Sequence, residues 1–355
     1  MLPVTGRVGI VIVVVAGIGS PALAQERLRA YADVLFYGDN TEFRNPFREG
    51  ETIFGGSARV CAAVEFGDRV VLRAGAFGRQ RFGSDEAFDH VRPVLSLTVR
   101  GRGSTVVIGT LPSPYVGTMV GDRGTLHGLL PPLQQETLLF ERSYEAGLLW
   151  TLERDAVRHS AWLNWQRLNT AEHRERFDTG IVTEVRLSKH LSVPAQAHLV
   201  HQGGQLYASG PVSDSYAGAA GLAWSAAARH LGAVRLEVHA LASRHVPDRD
   251  APARSRTGRA ALARATAGLG AWRGHILFWR GRHFVKDEGD PNYLSLRRNG
   301  RYYGGTRDYA EAGLARRWTP APEVTLEALG RLHRTERHYE YSFRIVATTA
   351  VVWPR

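Results

Sequence analysis

The sequence predicts an all-β fold, a transmembrane antiparallel up-and-down barrel of about sixteen strands following a cleaved leader. Three observations carry that reading. Apolar residues alternate with small or polar ones along segments of about ten residues, connections alternate between short and long, and aromatic residues cluster at both ends of the apolar face. Residues 52–66 show the alternation best. Thr52, Phe54, Gly56, Ala58, Val60, Ala62, Val64 and Phe66 share one face of an extended strand, while Ser57, Arg59, Cys61 and Glu65 share the other. Successive strand residues point to opposite faces, so this segment sorts into a lipid side and a water side.

The elements follow in chain order. Residues 1–24 read as a secretory signal: Arg7 supplies the basic start, Val8 to Ile18 the apolar stretch, and Ala22-Leu23-Ala24 the small-residue cleavage site before Gln25. Residues 25–355 then form one barrel domain, because no Ser/Gly/Pro linker interrupts the alternation and no later apolar run of about 18 residues offers a helical span. Strands are expected near 29–37, 52–66, 70–82, 92–100, 105–111, 138–153, 158–168 and 177–188. Eight more are expected near 192–202, 215–227, 233–244, 258–270, 275–284, 306–318, 324–334 and 340–353.

The joints between them sort into short ones, such as Gly67-Asp68-Arg69 and Arg154 to Val157, and longer ones, such as 38–51, 111–137 and 285–305. Short periplasmic turns and longer external loops, with both chain ends in the periplasm, produce that asymmetry. Phe54 and Phe66 are twelve residues apart on one face. At roughly 3.3 Å per residue and about 40° of tilt they stand roughly 30 Å apart vertically, which suits two aromatic girdles. Phe66, Trp150, Trp224 and Trp353 fall at the periplasmic ends; Phe36, Phe54, Phe82, Phe177 and Phe343 fall at the external ends.

The final strand alternates Tyr341, Phe343, Ile345, Ala347, Thr349, Val351 and Trp353 with Ser342, Arg344, Val346, Thr348, Ala350 and Val352. It resembles the C-terminal strand of bacterial outer-membrane β-barrel proteins of the porin-like kind, and Phe343, Val351 and Trp353 correspond to its assembly signal. The resemblance implies a Gram-negative outer-membrane location, surrounding lipid and lipopolysaccharide, and recognition by the barrel-assembly machinery. Members usually finish on an aromatic residue, whereas this chain continues through Pro354-Arg355.

The formal charge is +11, with Lys189 and Lys286 the only lysines. An exported basic protein attracts acidic polysaccharide, lipopolysaccharide phosphate or small anions. The leader and the lack of a basic helix exclude a nucleic-acid partner, and Cys61, the single cysteine, excludes an internal disulfide. The expected lumenal set includes Arg59, Arg73, Arg79, Arg81, Arg100 and Arg235, with Glu145, Glu184 and Glu237 nearby. Arg73, Arg79 and Arg81 share one strand and face no matching acidic row, so they read as an unpaired basic ladder.

Segment 111–137 is the longest connection, and the porin-like resemblance implies an inward fold that narrows the channel, with Asp122, Arg123 and His127 at the constriction. No Gly-x-Ser-x-Gly elbow, His-Glu-x-x-His pair or phosphate loop appears, and His198 and His201 face opposite sides of a strand. The expectation is a non-enzymatic channel without metal or cofactor that passes small anionic solutes. An exporter of acidic polysaccharide, a surface polysaccharide-binding barrel and an outer-membrane hydrolase are the alternatives.

Overall fold

The computed structural model describes residues 26–115, 125–228 and 232–354. Sixteen strands form a closed antiparallel barrel in which each strand pairs with its sequence neighbours and β1 pairs with β16. They are β1 (Glu26–Glu42), β2 (Glu51–Phe66), β3 (Val70–Arg81), β4 (His90–Gly101), β5 (Ser104–Thr110), β6 (Ala146–Glu153), β7 (Val157–Arg167) and β8 (Glu175–Arg186). The rest are β9 (Leu191–Gly203), β10 (Ser213–Ala228), β11 (Gly232–Val246), β12 (Arg256–Leu269), β13 (Trp272–Arg282), β14 (Thr306–Ala321), β15 (Val324–Thr335) and β16 (His338–Trp353). Closure leaves no sheet edge around most of the circumference, which is what lets strands cross a bilayer. The expected cleavage site at Ala24 and Gln25 lies outside the described residues.

Facing follows the alternation. On β2, Phe54, Val60 and Phe66 are exposed on the outer wall, while Ser57, Arg59 and Cys61 are buried on the inner one. Aromatic residues stand at both ends of the outer face: Phe36, Phe54, Phe82 and Phe343 above, Phe66, Trp150, Trp224 and Trp353 below. Phe54 packs edge-on against Phe82 at 4.8 Å, and Trp165 stacks with Phe177 at 5.4 Å. On β16, Phe343, Val351 and Trp353 point outward to lipid.

The strand expected over 138–153 is shorter, because β6 begins only at Ala146. Leu138, Leu139 and Phe140 are consecutive and all buried, in a single helical turn over Leu138–Glu141. A turn packed on all sides needs an unbroken apolar run, whereas a two-faced strand needs alternation. The β5–β6 connection therefore spans 111–145 and folds into the barrel.

The hydrophobic core lies inside the lumen. Leu129, Leu130 and Leu133 of the β5–β6 loop meet Phe284, Tyr293 and Leu294 of the β13–β14 loop (283–305) against Trp162, Leu241, Leu262, Trp279 and Tyr309 on the wall. A second cluster holds Leu126, Leu138, Leu139 and Phe140 against Leu35, Tyr37, Ile53 and Val346. Phe140 stacks on Tyr37 at 4.8 Å. Burial of such side chains contributes about 1.5–3 kcal/mol each, so the two loops are seated as a plug rather than draped over the rim.

Candidate functional site

The wall residues expected to line a pore all face inward, and most are engaged. Arg59 is buried and donates to the Leu111 carbonyl at 2.8 Å. Arg73 lies over the Tyr31 ring at 5.0 Å and donates to Thr98 Oγ1 at 3.4 Å. Arg81 meets Glu51 at 3.8 Å, which corrects the expectation that it lacks an acidic partner. The acid sits at the start of β2, one residue ahead of the alternating segment 52–66. Arg79 has no ion pair among the described residues, and its buried Nε has no hydrogen-bond partner. Arg100 is exposed near the periplasmic end of β4. Glu184, Arg235 and Glu237 form one chain, with Arg235 3.0 Å from each carboxylate and Arg264 2.5 Å from Glu237.

The densest polar constellation is built by β7, β8 and β9 under the β5–β6 loop. Trp162, Asn164 and Gln166 alternate along β7, so all three turn inward. Asp178 lies directly opposite Asn164 in the β7–β8 register, and Gly180 lies opposite both Trp162 and His198. A Cβ on Gly180 would stand 2.5 Å from the Trp162 ring, so glycine is what gives the indole its place. Trp162 Nε1 donates to Asp178 Oδ2 at 2.9 Å, and His198 Nε2 lies 3.3 Å from the same oxygen.

His127 is delivered to this wall by the inward loop. Its imidazole stacks on Trp162 at 3.9 Å, and its Nε2 lies 3.1 Å from Glu145 Oε2. Asn164 Nδ2 donates to Glu145 Oε1 at 3.0 Å and to Asp178 Oδ1 at 2.9 Å. Asp122 and Arg123, its expected companions, lie outside the described residues. From the other loop, Glu288 accepts from Gln166 and Arg176, each at 3.0 Å. Burial and Asp178 work to raise the Glu288 carboxyl, but Arg142, His198 and Arg176 outweigh them and hold it below the usual range. Burial lowers the neighbouring Lys286 ammonium to about 8, against the pull of Glu288 and Asp287.

Glu145 and Asn164 separate two cavities. The lower, of about 700 Å³, reaches the periplasmic turns and is bounded by His127, Glu145, Thr151, Ser160 and Glu184. The upper, of about 720 Å³, is bounded by Arg79, Arg92, Tyr144, Asn164 and Arg167. Two overlapping sets, His127–Glu145–Asp178 and Asp178–His198–Glu288, bring their donor atoms within 4.8 Å of one another. A divalent cation suits the donors of either set, although their own hydrogen bonds account for the arrangement.

A second constellation went unseen in the sequence. Ser342 Oγ lies 2.8 Å from His333 Nε2, and His333 Nδ1 lies 3.3 Å from Glu311 Oε2 and 2.7 Å from the Tyr309 hydroxyl. This is the order of a nucleophile, a base and an orienting acid. Arg331 Nε donates to Ser342 Oγ at 3.1 Å, and Arg331 and Arg344 both bind Glu136, at 2.7 and 2.9 Å. The space beside it is only about 10 Å³, room for one water. The signal was the register: Glu311 pairs with His333 across β14–β15, and hairpin counting from the Glu336-Arg337 turn would have placed Ser342 beside them.

The family described as lipid A 3'-O-deacylase-type matches residues 20–351, nearly the whole chain. The chain belongs to that family. Comparison with curated proteins returns no match. Among solved structures, the barrel is similar to a loop-deletion form of OmpT, an outer-membrane protein of Vibrio cholerae (11% identity, TM-score 0.56, covering 92% of this chain and 99% of that one). It is also similar to an anion-selective porin from Comamonas acidovorans (8% identity, TM-score 0.54, 92% and 100%) and to OpdQ of Pseudomonas aeruginosa (10% identity, TM-score 0.52, 92% and 98%). At such identities the likeness is one of fold. This member of the deacylase-type family has a porin-like outer-membrane barrel.

Proposed function

We propose that the protein hydrolyses an ester-linked acyl chain of lipid A, with His127 as general base and Glu145 orienting it. This departs from the sequence expectation of a non-enzymatic channel. The observation that carries it is His127 paired with Glu145 at the rim of a cavity of about 700 Å³, inside a plugged barrel of a family described by that activity. With the Nε2–H donated to Glu145, the free Nδ1 of His127 takes a proton from water, the water oxygen adds to the ester carbonyl, and Glu145 stabilises the resulting imidazolium. Collapse of the adduct expels the sugar alkoxide, which regains the proton, and releases a fatty acid. The Ser342–His333–Glu311 constellation has suitable order but no room for an ester.

The test is lipid A mass spectrometry from cells producing each variant. Wild-type protein should remove one acyl chain. His127→Asn should lower that conversion by about 100-fold, and Ser342→Ala should leave it. Loss with Ser342→Ala alone transfers the chemistry to the second constellation. Intact lipid A with folded wild-type protein rejects the hydrolase reading.

Passage of small anions is the second reading, favoured by the unpaired Arg79 and the porin-like barrel. It requires anion-selective conductance in planar bilayers that falls when Arg79 is neutralised.

A further inference from the structure

The barrel wall has a gap beside this site. β5 is seven residues long, and its pairing with β4 covers only Ser96–Gly101. On the other side, β6 pairs with β7 only up to Asn164. Above those levels, no strand of the described residues stands between His90–Leu95 of β4 and Trp165–Arg167 of β7. Three strand spacings at about 4.8 Å make the opening about 14 Å wide from strand to strand.

The gap lies at membrane depth. Val91 and Leu95, each 61% exposed, point outward along one side, and Trp165, 42% exposed, points outward along the other. Trp165 belongs to the upper aromatic girdle through its stack on Phe177. The girdle marks where headgroups meet acyl chains. Unpaired backbone at such depth persists only where it lines a polar space, and the bare β4 edge is managed accordingly. Pro93 presents no N–H, Tyr144 Oη donates to the Pro93 carbonyl at 2.8 Å, and Thr110 Oγ1 accepts from Leu95 N at 3.1 Å.

Behind the gap is the upper cavity of about 720 Å³, in which five arginines and two histidines meet a single bordering carboxylate, Glu141. Arg142 and Arg176 are held by Glu288. Arg167 is occupied by the Arg174 carbonyl and Gln202. Arg79 and Arg92 have no carboxylate at ion-pair distance among the described residues, although Asp89 and Glu141 act on Arg79 from farther off: Arg92 donates to His90, and Arg79 Nε is buried without a hydrogen-bond partner. Positive charge in excess of its counter-charge, opening sideways between apolar walls, suits an anionic headgroup whose chains stay in the bilayer.

We infer that the β4–β7 gap is a lateral portal for a phosphorylated lipid of the outer leaflet, its phosphate held by Arg79 and Arg92. The inference rests on the lipid A reading and gives it an access route. A headgroup there lies against Asn164, which donates to Glu145, so the ester next to the sugar is brought to the His127 side of the partition. The lower cavity supplies water from the periplasmic end.

The test places the photoreactive residue p-benzoylphenylalanine at Leu95, or at Ile276 and Val238 on the far outer wall, with irradiation of whole cells and blotting for lipopolysaccharide adducts. Adducts at Leu95 should exceed those at the far positions at least fivefold. Arg79→Glu with Arg92→Glu should lower them about tenfold, with Arg79→Gln and Arg92→Gln as the milder pair if charge reversal impairs folding. In vesicles of phosphatidylcholine, purified protein should label with lipid A and not with its dephosphorylated form. Equal labelling at all positions, or equal labelling by both lipids, overturns the portal. Adducts at Leu95 without deacylation keep the portal and reject the hydrolase; deacylation that survives the double arginine variants rejects the portal alone.

Discussion

Lys286 shows how a single side chain reports on the plug. It is almost fully buried in the β13–β14 loop, with Nζ donating to the Asp287 carbonyl at 2.6 Å. Its folded value of about 8 is below the ordinary 10.5. Between those values the unfolded chain holds a proton that the native chain lacks, so stability rises with pH across that window. Protection of the loop from protease should therefore increase from pH 7.5 to 10, and Lys286→Met should flatten the rise. An equally steep rise in the variant would assign it to another group. Gly180 gives a steric counterpart. Gly180→Val drives a side chain into Trp162 and the Ala197 carbonyl, and overpacking of this kind costs roughly 1–3 kcal/mol. The urea midpoint followed by tryptophan emission should fall accordingly; an unchanged midpoint would mean that the wall yields freely.

Among the elements, the β5–β6 loop decides whether the lumen conducts. Its Leu126, Leu129, Leu130, Leu133 and Leu138 are buried against the wall and the β13–β14 loop. Replacing residues 125–140 with a short Gly-Ser link should raise single-channel conductance severalfold in planar bilayers. The same deletion removes Glu136 from Arg331 and Arg344, leaving two buried cations less well paired, so the variant should also melt at lower temperature. Unaltered conductance would show that other segments close the pore. On β3, Leu72 faces lipid and Arg73 faces the lumen. Leu72→Arg should lower assembly by the roughly 2–4 kcal/mol of a cation against hydrocarbon, whereas Arg73→Ala should leave heat-modifiable protein in the outer membrane. The reverse outcome would place the register one residue off.

For the whole molecule, closure through β1 and β16 is the decisive contact. Their pairing runs from Ala30↔Trp353 to Glu42↔Tyr341, so the chain end is the last stave of the barrel. Protein lacking residues 345–355 should fail to reach the outer membrane and should lose the gel-mobility shift that a closed barrel shows before boiling. Normal folding of that truncation would contradict the closure. The +11 charge also acts at this scale: paired arginines brace the lumen, while Arg79 and Arg92 stand beside the gap with no carboxylate at ion-pair distance among the described residues. Net charge alone does not distinguish those roles, because Coulomb attraction depends on the distance to the nearest opposite charge.

The sequence by itself determined the barrel. Period-two alternation assigns each residue of Phe54 to Phe66 to lipid or lumen without reference to any other strand, and the turn spacing counts sixteen staves. Inward facing of Arg59, Arg73 and Glu184 follows from the same local rule. Four features were decided only in the tertiary structure. The strand expected from 138 became part of a plug, because Leu138 to Phe140 found apolar partners on β1 and β16, far away in sequence. His127 met Glu145 and Trp162 because a loop without periodicity folded inward, a matter of packing that alternation does not encode. Ser342, His333 and Glu311 converged through the registers of two hairpins, and the lateral gap opened because β5 and β6 stop short of their neighbours. Facing is a property of one strand, whereas a site is made by the distances between several.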